Sequence, residues 1–358
     1  MEFGIFALSP QRHAGRKPIE VLAETVAEVR LAEELGFEAV WIAEHHFANL
    51  SLSPSPLLLA GHLAGLTRRI DLGTGVVVLP LYQPMRLVED IAYVDMLSGG
   101  RLRLGIGAGS QNHESRGLMT DVRDARERFL EALDIIEMAF DTGRVDYRGR
   151  HFQVPDTPLS LSPMRPGGPP IYLAGLAHDG EVMRRLGVRG YAPFASAAWL
   201  PVAQVAEKRA GPAAGWRAAG RDPAAMPFAV QRLVFVTEDR GEALKAAEAA
   251  RYTYRVVASV KGASPIFDGP FIREAPLAGE DTPETIADKA MIGDAEKIAA
   301  MILADVEALG VTHMSCFMHM GGLEAAAVRR SMELFARDVR PLVERGLTGP
   351  RLAAAGHD

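Results

Sequence analysis

Short apolar segments alternate with amphipathic segments along almost the whole chain, and this alternation limits the folds open to it. The apolar segments have the length of buried strands, and the amphipathic ones carry apolar residues near the spacing of a helix. The strand-like segments are residues 3–8, 39–43, 70–79, 102–106, 171–174, 190–193, 229–236 and 313–317. The helix-like segments are residues 18–35, 56–66, 84–97, 125–140, 179–186, 201–219, 242–257, 295–309 and 323–344.

Eight alternating units predict an α/β fold of the (β/α)8 or TIM-barrel class. A doubly wound sheet is the alternative, but such sheets usually have only about five or six strands. Two segments rich in Pro and Gly interrupt the alternation, residues 143–170 after the fourth unit and residues 261–283 before the last. We interpret the first as an excursion with a small hairpin near residues 147–152. The second is predicted to be an active-site lid, with a solvated surface loop as the alternative. Residues 1–358 are expected to form a single barrel domain.

Composition argues against several classes of function. The formal charge is −6, and Lys and Arg are scattered through the helices, so nucleic acid is not an expected partner. The single cysteine, Cys316, cannot form an intramolecular disulfide or a cysteine-based zinc site. The first residues lack a basic region followed by an apolar run, and the long apolar runs are interrupted before membrane-spanning length. We expect a cytoplasmic protein without membrane contact.

Three chemically distinctive stretches follow predicted strands. Glu44, His45 and His46 come directly after the second strand, residues 105–109 end the fourth, and residues 174–178 end the fifth and open a helix. In a (β/α)8 barrel the active site lies at the C-terminal ends of the strands. We therefore expect these three stretches to meet on one face of the barrel.

The histidine pair favours acid–base chemistry over metal binding. Adjacent residues of an extended strand point to opposite faces, so two neighbouring rings are poorly placed to bind one metal ion, and no metal site is expected. A single histidine suffices as a general acid or base, because its unperturbed pKa is near neutral. Glu44 could orient the site or contact a polar heterocycle. The alternative is that one histidine is buried and hydrogen-bonded while the other is solvated.

The Gly-rich stretch at residues 105–109 does not match a dinucleotide-binding fingerprint, because it has the pattern Gly-x-Gly-x-Gly and leads into a polar loop. It is either a turn or a place where the missing side chains let a flat ring approach the backbone. Residues 174–178 lie at a predicted helix N-terminus, where amide groups and the helix dipole can bind phosphate. Any such helix has this capacity, so the position alone does not establish a phosphate site.

Four ordered motifs resemble those of the bacterial luciferase-like flavin monooxygenases. They are WIAEHHF at residues 41–47, GTGVVVLP at 73–80, PMRLVED at 84–90 and DMLSGGRLRLGIG at 95–107. Their order and spacing hold over the first 140 residues. Weaker similarity continues through the fifth strand to the C-terminal helix, so the resemblance covers nearly the whole chain.

The resemblance implies a barrel that binds reduced FMN, reacts it with O2 to a C4a-peroxyflavin, and oxidises a small organic substrate. The reduced flavin would come from a separate reductase, because no segment of the sequence has the pattern of a nicotinamide-binding fold. Two alternatives remain open. One is a deazaflavin-dependent oxidoreductase that transfers hydride without oxygen, and the other is a non-catalytic flavin-binding protein, a class in which the barrel is usually shortened. Neither light emission nor an aldehyde substrate is expected.

The resemblance also implies roles for individual residues. His45 matches the catalytic histidine of the luciferases, and Glu44, its neighbour near the flavin, is expected to act with it as a second catalytic residue. Gly75 and Val76 match a site where the family has a non-prolyl cis peptide against the isoalloxazine ring. Gly107 stands where the luciferases have a reactive cysteine, which leaves more space beside the ring.

Two parts of the chain are expected to hold the flavin phosphate. Arg126 matches a phosphate-contacting arginine before the fourth helix, and five residues match the phosphate loop, namely Ala174, Gly175, Leu176, Ala177 and His178. The chain departs from the luciferases at Ala108, which replaces an arginine, and at Leu176, which replaces a serine. Each lost charged donor costs about 1.5–3 kcal/mol, so binding is expected to rest on Arg126 and backbone amides.

The substrate and the partners follow less directly from the sequence. Gln111, Asn112 and His113 come after the fourth strand and could contact the substrate as a polar wall. Members of the family often dimerise through the helices after the second and third strands. The corresponding segments here, residues 56–66 and 84–97, are both rich in apolar residues, so a homodimer is expected.

Overall fold

The computed structural model describes residues 1–261 and 265–348. Within these ranges eight parallel strands pair in chain order, and the eighth strand closes the ring onto the first. The (β/α)8 barrel predicted from the alternation is therefore confirmed. The barrel strands are β1 (Glu2–Ala7), β2 (Ala39–Ile42), β3 (Asp71–Thr74), β4 (Leu102–Gly107), β5 (Ile171–Ala174), β6 (Ala192–Ser196), β7 (Ala229–Val236) and β8 (His313–Phe317).

Helices surround the barrel, and several begin at a side chain that caps the first turn. The Ser55 hydroxyl accepts the Leu58 amide, and Pro56 occupies the first turn, where a missing N–H costs nothing. The third long helix ends at Gly99, whose φ of 69° is the left-handed conformation that glycine adopts readily. The described helices are Pro18–Glu34, Pro56–Leu66, Pro84–Ser98, Asn112–Gly117, Ala125–Thr142, Gly180–Arg189, Val202–Ala218, Arg240–Lys261, Pro283–Lys289, Ala295–Leu309, Ala325–Leu334 and Arg340–Thr348.

Several predicted boundaries differ from the structure. The Val-rich segment 70–79 is not one strand, because β3 stops at Thr74 and Val77–Val78 pairs separately with β4. The strand predicted at residues 190–193 is β6, which lies slightly later in the chain, because Gly190 is the left-handed cap of the preceding helix. The polar stretch after β4, predicted as a loop, forms the short helix Asn112–Gly117.

The first interrupting segment, residues 143–170, leaves the barrel as an antiparallel hairpin. Its strands are Arg144–Arg148 and Gln153–Pro158, so the hairpin predicted near residues 147–152 is present. The hairpin packs on the preceding helix: the Glu131 carboxylate accepts backbone N–H groups from its turn, including that of Phe152 at 2.9 Å.

The second interrupting segment, residues 261–283, contains a shorter hairpin of Phe267–Asp268 and Phe271–Ile272. Residues 262–264 of this predicted lid lie outside the described residues. Asn49, in the loop after β2, attaches the hairpin: its Oδ1 accepts the Ile272 amide at 2.8 Å, and its backbone N–H donates to the Pro270 carbonyl at 3.0 Å. The hairpin is thus tied to a loop at the C-terminal face of the barrel.

Large side chains fill the barrel interior beneath the C-terminal ends of the strands. Trp41 is 1% exposed and meets Tyr172 and Phe194 at ring-centroid distances of 4.7 and 4.8 Å. Gly73 makes room for it, since a Cβ there would lie 2.5 Å from the indole. This packing closes the barrel interior, so a site can form only above it, at the C-terminal ends of the strands. In the described part of the chain no helix is both long and apolar enough to cross a membrane.

Candidate active site

His45 forms a hydrogen-bonded pair with Glu114 at the C-terminal face of the barrel. The histidine follows β2, and Glu114 lies on the short helix after β4. Nδ1 of His45 lies 3.0 Å from Oε1 of Glu114, which also accepts the backbone N–H of His46 at 3.0 Å. Burial by itself raises the pKa of the Glu114 carboxyl, but the bonds from His45 and His46 outweigh it and hold this pKa below its ordinary value.

An ionised Glu114 fixes the hydrogen of the imidazole on Nδ1. Nε2 of His45 is then the unprotonated nitrogen, and no described residue forms a hydrogen bond with it. The His45 side chain is 25% exposed, whereas that of Glu114 is only 4% exposed. The arrangement can therefore accept a proton at Nε2 while the buried carboxylate stabilises the resulting charge.

The three residues predicted to form a polar wall differ in their surroundings. The amide nitrogen of Gln111 lies 3.1 Å from Nδ1 of His45, next to the pair, but it cannot donate to Nδ1 while that atom carries the hydrogen given to Glu114, and Asn112 is exposed. Both ring nitrogens of His113 are buried without a partner among the described residues. Its ring lies 5.3 Å from Phe267 of the second hairpin, and burial lowers the pKa of His113, which favours the neutral imidazole.

Glu44, expected to act with His45, is enclosed by other protein groups in this structure. Its side chain is 0% exposed, and Oε1 lies 3.1 Å from Nε2 of His46. Oε2 accepts the Val78 amide at 3.1 Å and the Tyr82 hydroxyl at 2.9 Å. Burial raises the pKa of Glu44, although these donors act in the opposite direction. The carboxylate consequently ties the loop after β2 to the loop after β3.

The loop after β3 lies against β4. The peptide bond between Gly75 and Val76 is cis, the geometry that the resemblance implies at this position. The Gly75 amide donates to the Ile42 carbonyl at 2.6 Å, which fixes the loop to the end of β2. A Cβ at Gly107 would lie 2.9 Å from Cγ2 of Val76, so the missing side chain on β4 is what lets Val76 pack there.

Arg126 and the 174–178 loop come together on the other side of the face. The Arg126 guanidinium is half-exposed, and it pairs with Asp179 and, at 3.5 Å, with Glu181. Asp179 directly follows the loop and caps the helix Gly180–Arg189 by accepting the amides of Glu181 and Val182, each at 3.1 Å.

Sequence reasoning did not find two of these residues. Glu114 lies 69 positions from His45, so no local spacing connects the pair, and the only signal was the polar stretch after β4. Asp179 precedes a predicted helix, which is the position of a capping residue, but its ion pair with Arg126 joins two distant helices.

A family model described as luciferase-like monooxygenase matches residues 1–313. The chain belongs to this family. It is 30% identical over 359 aligned residues to the 4-hydroxyprotoasukamycin monooxygenase of Streptomyces nodosus subsp. asukaensis, an alignment that covers 98% of this chain and 94% of the relative.

Two solved structures of other enzymes have the same fold as this chain. The oxygenating constituent of 3,6-diketocamphane monooxygenase from Pseudomonas putida, in complex with FMN, superposes with a TM-score of 0.78 at 21% identity, covering 95% of this chain and 98% of that chain. An F420-dependent secondary alcohol dehydrogenase with an F420–acetone adduct gives a TM-score of 0.73 at 22% identity, covering 96% and 98%. One of these proteins is in complex with FMN and the other with an F420 adduct, and their likeness to this chain shows the shared fold.

Two groups of residues at the C-terminal face bear on how a flavin would fit. Gly75 and Gly107 carry no side chain, but the space that a Cβ would take is already filled, by Phe6 and Trp41 at Gly75 and by Val76 at Gly107. At the other end, the half-exposed Arg126 offers guanidinium N–H groups of the kind that bind phosphate. Asp179 is the feature that opposes this fit, because its carboxylate already occupies the guanidinium.

Proposed function

We propose that the protein is the oxygenase of a two-component system, which uses reduced FMN and O2 to oxidise a small organic substrate. The observation that carries the proposal is the His45–Glu114 pair at the C-terminal face of the barrel, with Nε2 of His45 unpartnered among the described residues. Oxidation of a substrate there would need a group that accepts and returns protons, and this pair supports that role.

When bound, reduced FMN supplies the electrons with which O2 is activated. The residues of the chain hold the ring, exclude water and control protons. Gly75, Val76 and Gly107 would lie against the ring, and Arg126 with the 174–178 loop would hold the phosphate. Glu114 keeps the hydrogen of His45 on Nδ1, so that Nε2 can accept and return a proton.

Glu44 acts differently in this proposal. It is a positioning residue, because its carboxylate is buried and bonded to His46, the Val78 amide and Tyr82. By holding the loops after β2 and β3 together, Glu44 would set the distance between His45 and a flavin ring bound against Gly75.

Hydride transfer by a deazaflavin without oxygen is the second candidate. The likeness to the F420-dependent secondary alcohol dehydrogenase supports it. A non-catalytic flavin-binding role is disfavoured because all eight strands and the His45–Glu114 pair are retained.

Binding followed by reaction with oxygen separates these candidates. The protein is titrated without oxygen with reduced FMN and, in parallel, with reduced F420, and the bound complex is then mixed with O2 while absorbance is recorded. We expect reduced FMN to bind and to be reoxidised through a transient species absent from free FMN. Tight binding of F420 without binding of FMN would instead establish the hydride-transfer reading.

The role of His45 has a matched control. His45→Asn should slow turnover by at least about tenfold and leave FMN affinity within about twofold. The tenfold figure is a cautious lower bound, because general acid–base catalysis typically contributes about 10²-fold or more. His62→Asn changes an exposed histidine on the outer helix Pro56–Leu66 and should alter neither quantity. Equal rates for both variants would contradict the proton-transfer role.

A separate reductase is part of the proposal and has a direct test. The purified protein, supplied with FMN and NADH or NADPH, should not reduce the flavin until a flavin reductase is added. Reduction by the protein alone would mean that it carries its own nicotinamide site.

We also propose a homodimer formed through the two helices after β2 and β3. They pack side by side and expose large apolar side chains to solvent, among them Leu58 at 77%, Tyr93 at 55% and Leu97 at 53%. Exposed apolar groups clustered on neighbouring helices are typical of an interface between subunits.

A further inference from the structure

The proposed flavin contacts occupy only one half of the barrel opening. They lie after β3, at the end of β4 and after β5, with His45 after β2. The other half of the ring, formed by β6, β7, β8 and β1, has no assigned role. Phe6 of β1 stands between the two halves, since a Cβ at Gly75 would lie 3.1 Å from its ring and Phe317 of β8 meets it at 5.5 Å.

Ser196 lines the opening on this second half. Phe194 of β6 faces the interior of the barrel, where it packs on Trp41. Side chains alternate along a strand, so Ser196, two residues further, faces the same way and lies nearer the C-terminal face. Ser196 is exposed although it points inward, which means that it borders open space and not packed core.

Gln231 is the neighbour of Ser196 on β7. The two residues are register partners, and the Ser196 hydroxyl lies 3.1 Å from Oε1 of Gln231. Gln231 is only 6% exposed, and no described residue forms a hydrogen bond with its amide nitrogen. A nearly buried side chain therefore keeps two N–H donors unused at the edge of the opening.

Ser315 repeats this situation on β8. It is the register partner of Gln231, it is 1% exposed, and its hydroxyl has no partner within the described part of the chain. The Ser315 hydroxyl is a buried polar group of the kind that is almost always hydrogen-bonded, whereas the Gln231 nitrogen is not fully enclosed, so a polar atom that enters beside Gln231 would meet this nitrogen next to the unpartnered hydroxyl. The aromatic rings of Phe6 and Phe317 make the rest of this half apolar.

We propose that Ser196, Gln231 and Ser315 form a substrate subsite that binds the carbonyl oxygen of an otherwise apolar substrate. The N–H groups of Gln231 and the Ser315 hydroxyl donate to that oxygen, and Ser196 orients the amide through its bond to Oε1. Phe6 packs against the apolar body and separates it from the ring surface at Gly75. The assignment rests on the proposed function, because it takes the flavin to fill the half between β2 and β5.

A pair of probes of equal shape tests the subsite. Acetophenone carries a carbonyl, and α-methylstyrene replaces its oxygen with a CH2 group. Calorimetric titration of the full-length protein, with and without bound FMN, should show acetophenone binding at least about fivefold more tightly, the ratio that one hydrogen bond of about 1 kcal/mol gives. Equal affinity for the two probes, or binding of neither, would overturn the inference.

Substitutions then locate the contact. Gln231→Leu should abolish the preference for acetophenone without changing the affinity for α-methylstyrene or FMN, and the smaller change Ser315→Ala, which preserves folding more easily, should reduce the preference about twofold. The control Gln153→Leu alters an exposed glutamine of the 143–170 hairpin and should change nothing. Loss of FMN affinity together with the ketone preference would show that Gln231 contacts the flavin and refute the subsite.

The same titrations keep this inference distinct from the proposed function. If neither FMN nor F420 binds, the proposed function fails, while the preference of the ligand-free protein for acetophenone, and its loss in Gln231→Leu, still decides the subsite. If FMN binds and the two probes remain equivalent, the flavin proposal stands and the subsite is refuted.

Discussion

Replacing Asp179 with asparagine should strengthen the binding of FMN. In the ligand-free protein both oxygens of the Asp179 carboxylate face the Arg126 guanidinium, with Nη2 at 3.2 Å from Oδ1. A phosphate that takes Arg126 must displace this carboxylate and then remain close to it. Asparagine caps a helix about as well as aspartate, so Asp179→Asn removes the charge and keeps the bonds to the Glu181 and Val182 amides.

The gain in FMN affinity can be worked out from the distance between the Asp179 carboxylate and a phosphate that binds the same Arg126 guanidinium. Two unit charges about 6 Å apart repel each other by about 0.7 kcal/mol in bulk water and by about 3 kcal/mol at the effective dielectric constant of about 20 near a protein surface, and the exposure of Arg126 favours the lower part of this range, about 1 kcal/mol. The phosphate carries between one and two charges near neutral pH, so the repulsion is about 1–2 kcal/mol. FMN should therefore bind the variant about five- to thirtyfold more tightly at low salt.

Comparison of FMN with riboflavin isolates the phosphate. Quenching of flavin fluorescence gives both dissociation constants, and riboflavin, which lacks the phosphate, should bind wild type and variant equally. The gain for FMN should shrink as salt is added, because the pair is half-exposed and its charges are screened. Unchanged FMN affinity in Asp179→Asn, with Arg126→Gln also without effect, would refute the placement of the phosphate at Arg126.

Three further predictions concern other parts of the molecule. Glu114→Gln should slow turnover at least about tenfold with little change in FMN affinity. The wild-type rate should also fall at acid pH in kinetic profiles: the pKa of Glu114 is lowered, so its pair with His45 is intact above that pKa and is lost as the pH falls through it. Leu58→Glu should convert a dimer into a monomer in light scattering without lowering the melting temperature, since this side chain is 77% exposed. Trp41→Ala should reduce the free energy of unfolding in urea titrations by about 3–5 kcal/mol, because it leaves a cavity in the barrel interior. A reduction below about 1 kcal/mol would contradict the close packing of Trp41.

The parts of this structure that were predictable from sequence are those that repeat or lie close together in the chain. Alternating segments identified all eight barrel strands, and the position of His45 directly after a strand placed it on the correct face. The break of the 70–79 segment was not predictable from hydrophobicity, because Val76 inside the break has the same side chain as Val77 and Val78 in the short strand that follows. Glu114 and Asp179 escaped for a different reason, since each acquires its role from a partner more than fifty positions away.

The two histidine–carboxylate pairs differ in the exposure of the ring, since both carboxylates are buried while the His45 side chain is 25% exposed and that of His46 only 11%. Glu44 follows β2 directly and seemed the natural partner of His45, but its side chain is fully enclosed, and it bonds to His46 on the opposite side of the chain. Glu114 comes from another strand end and reaches His45, because adjacent residues of an extended segment point in opposite directions. Each histidine thus has its own carboxylate. The Glu44–His46 pair holds two loops in place, whereas His45, with its accessible ring, can exchange a proton. A substitution in the Glu44–His46 pair should therefore mainly lower stability, and one in the His45–Glu114 pair should mainly slow turnover.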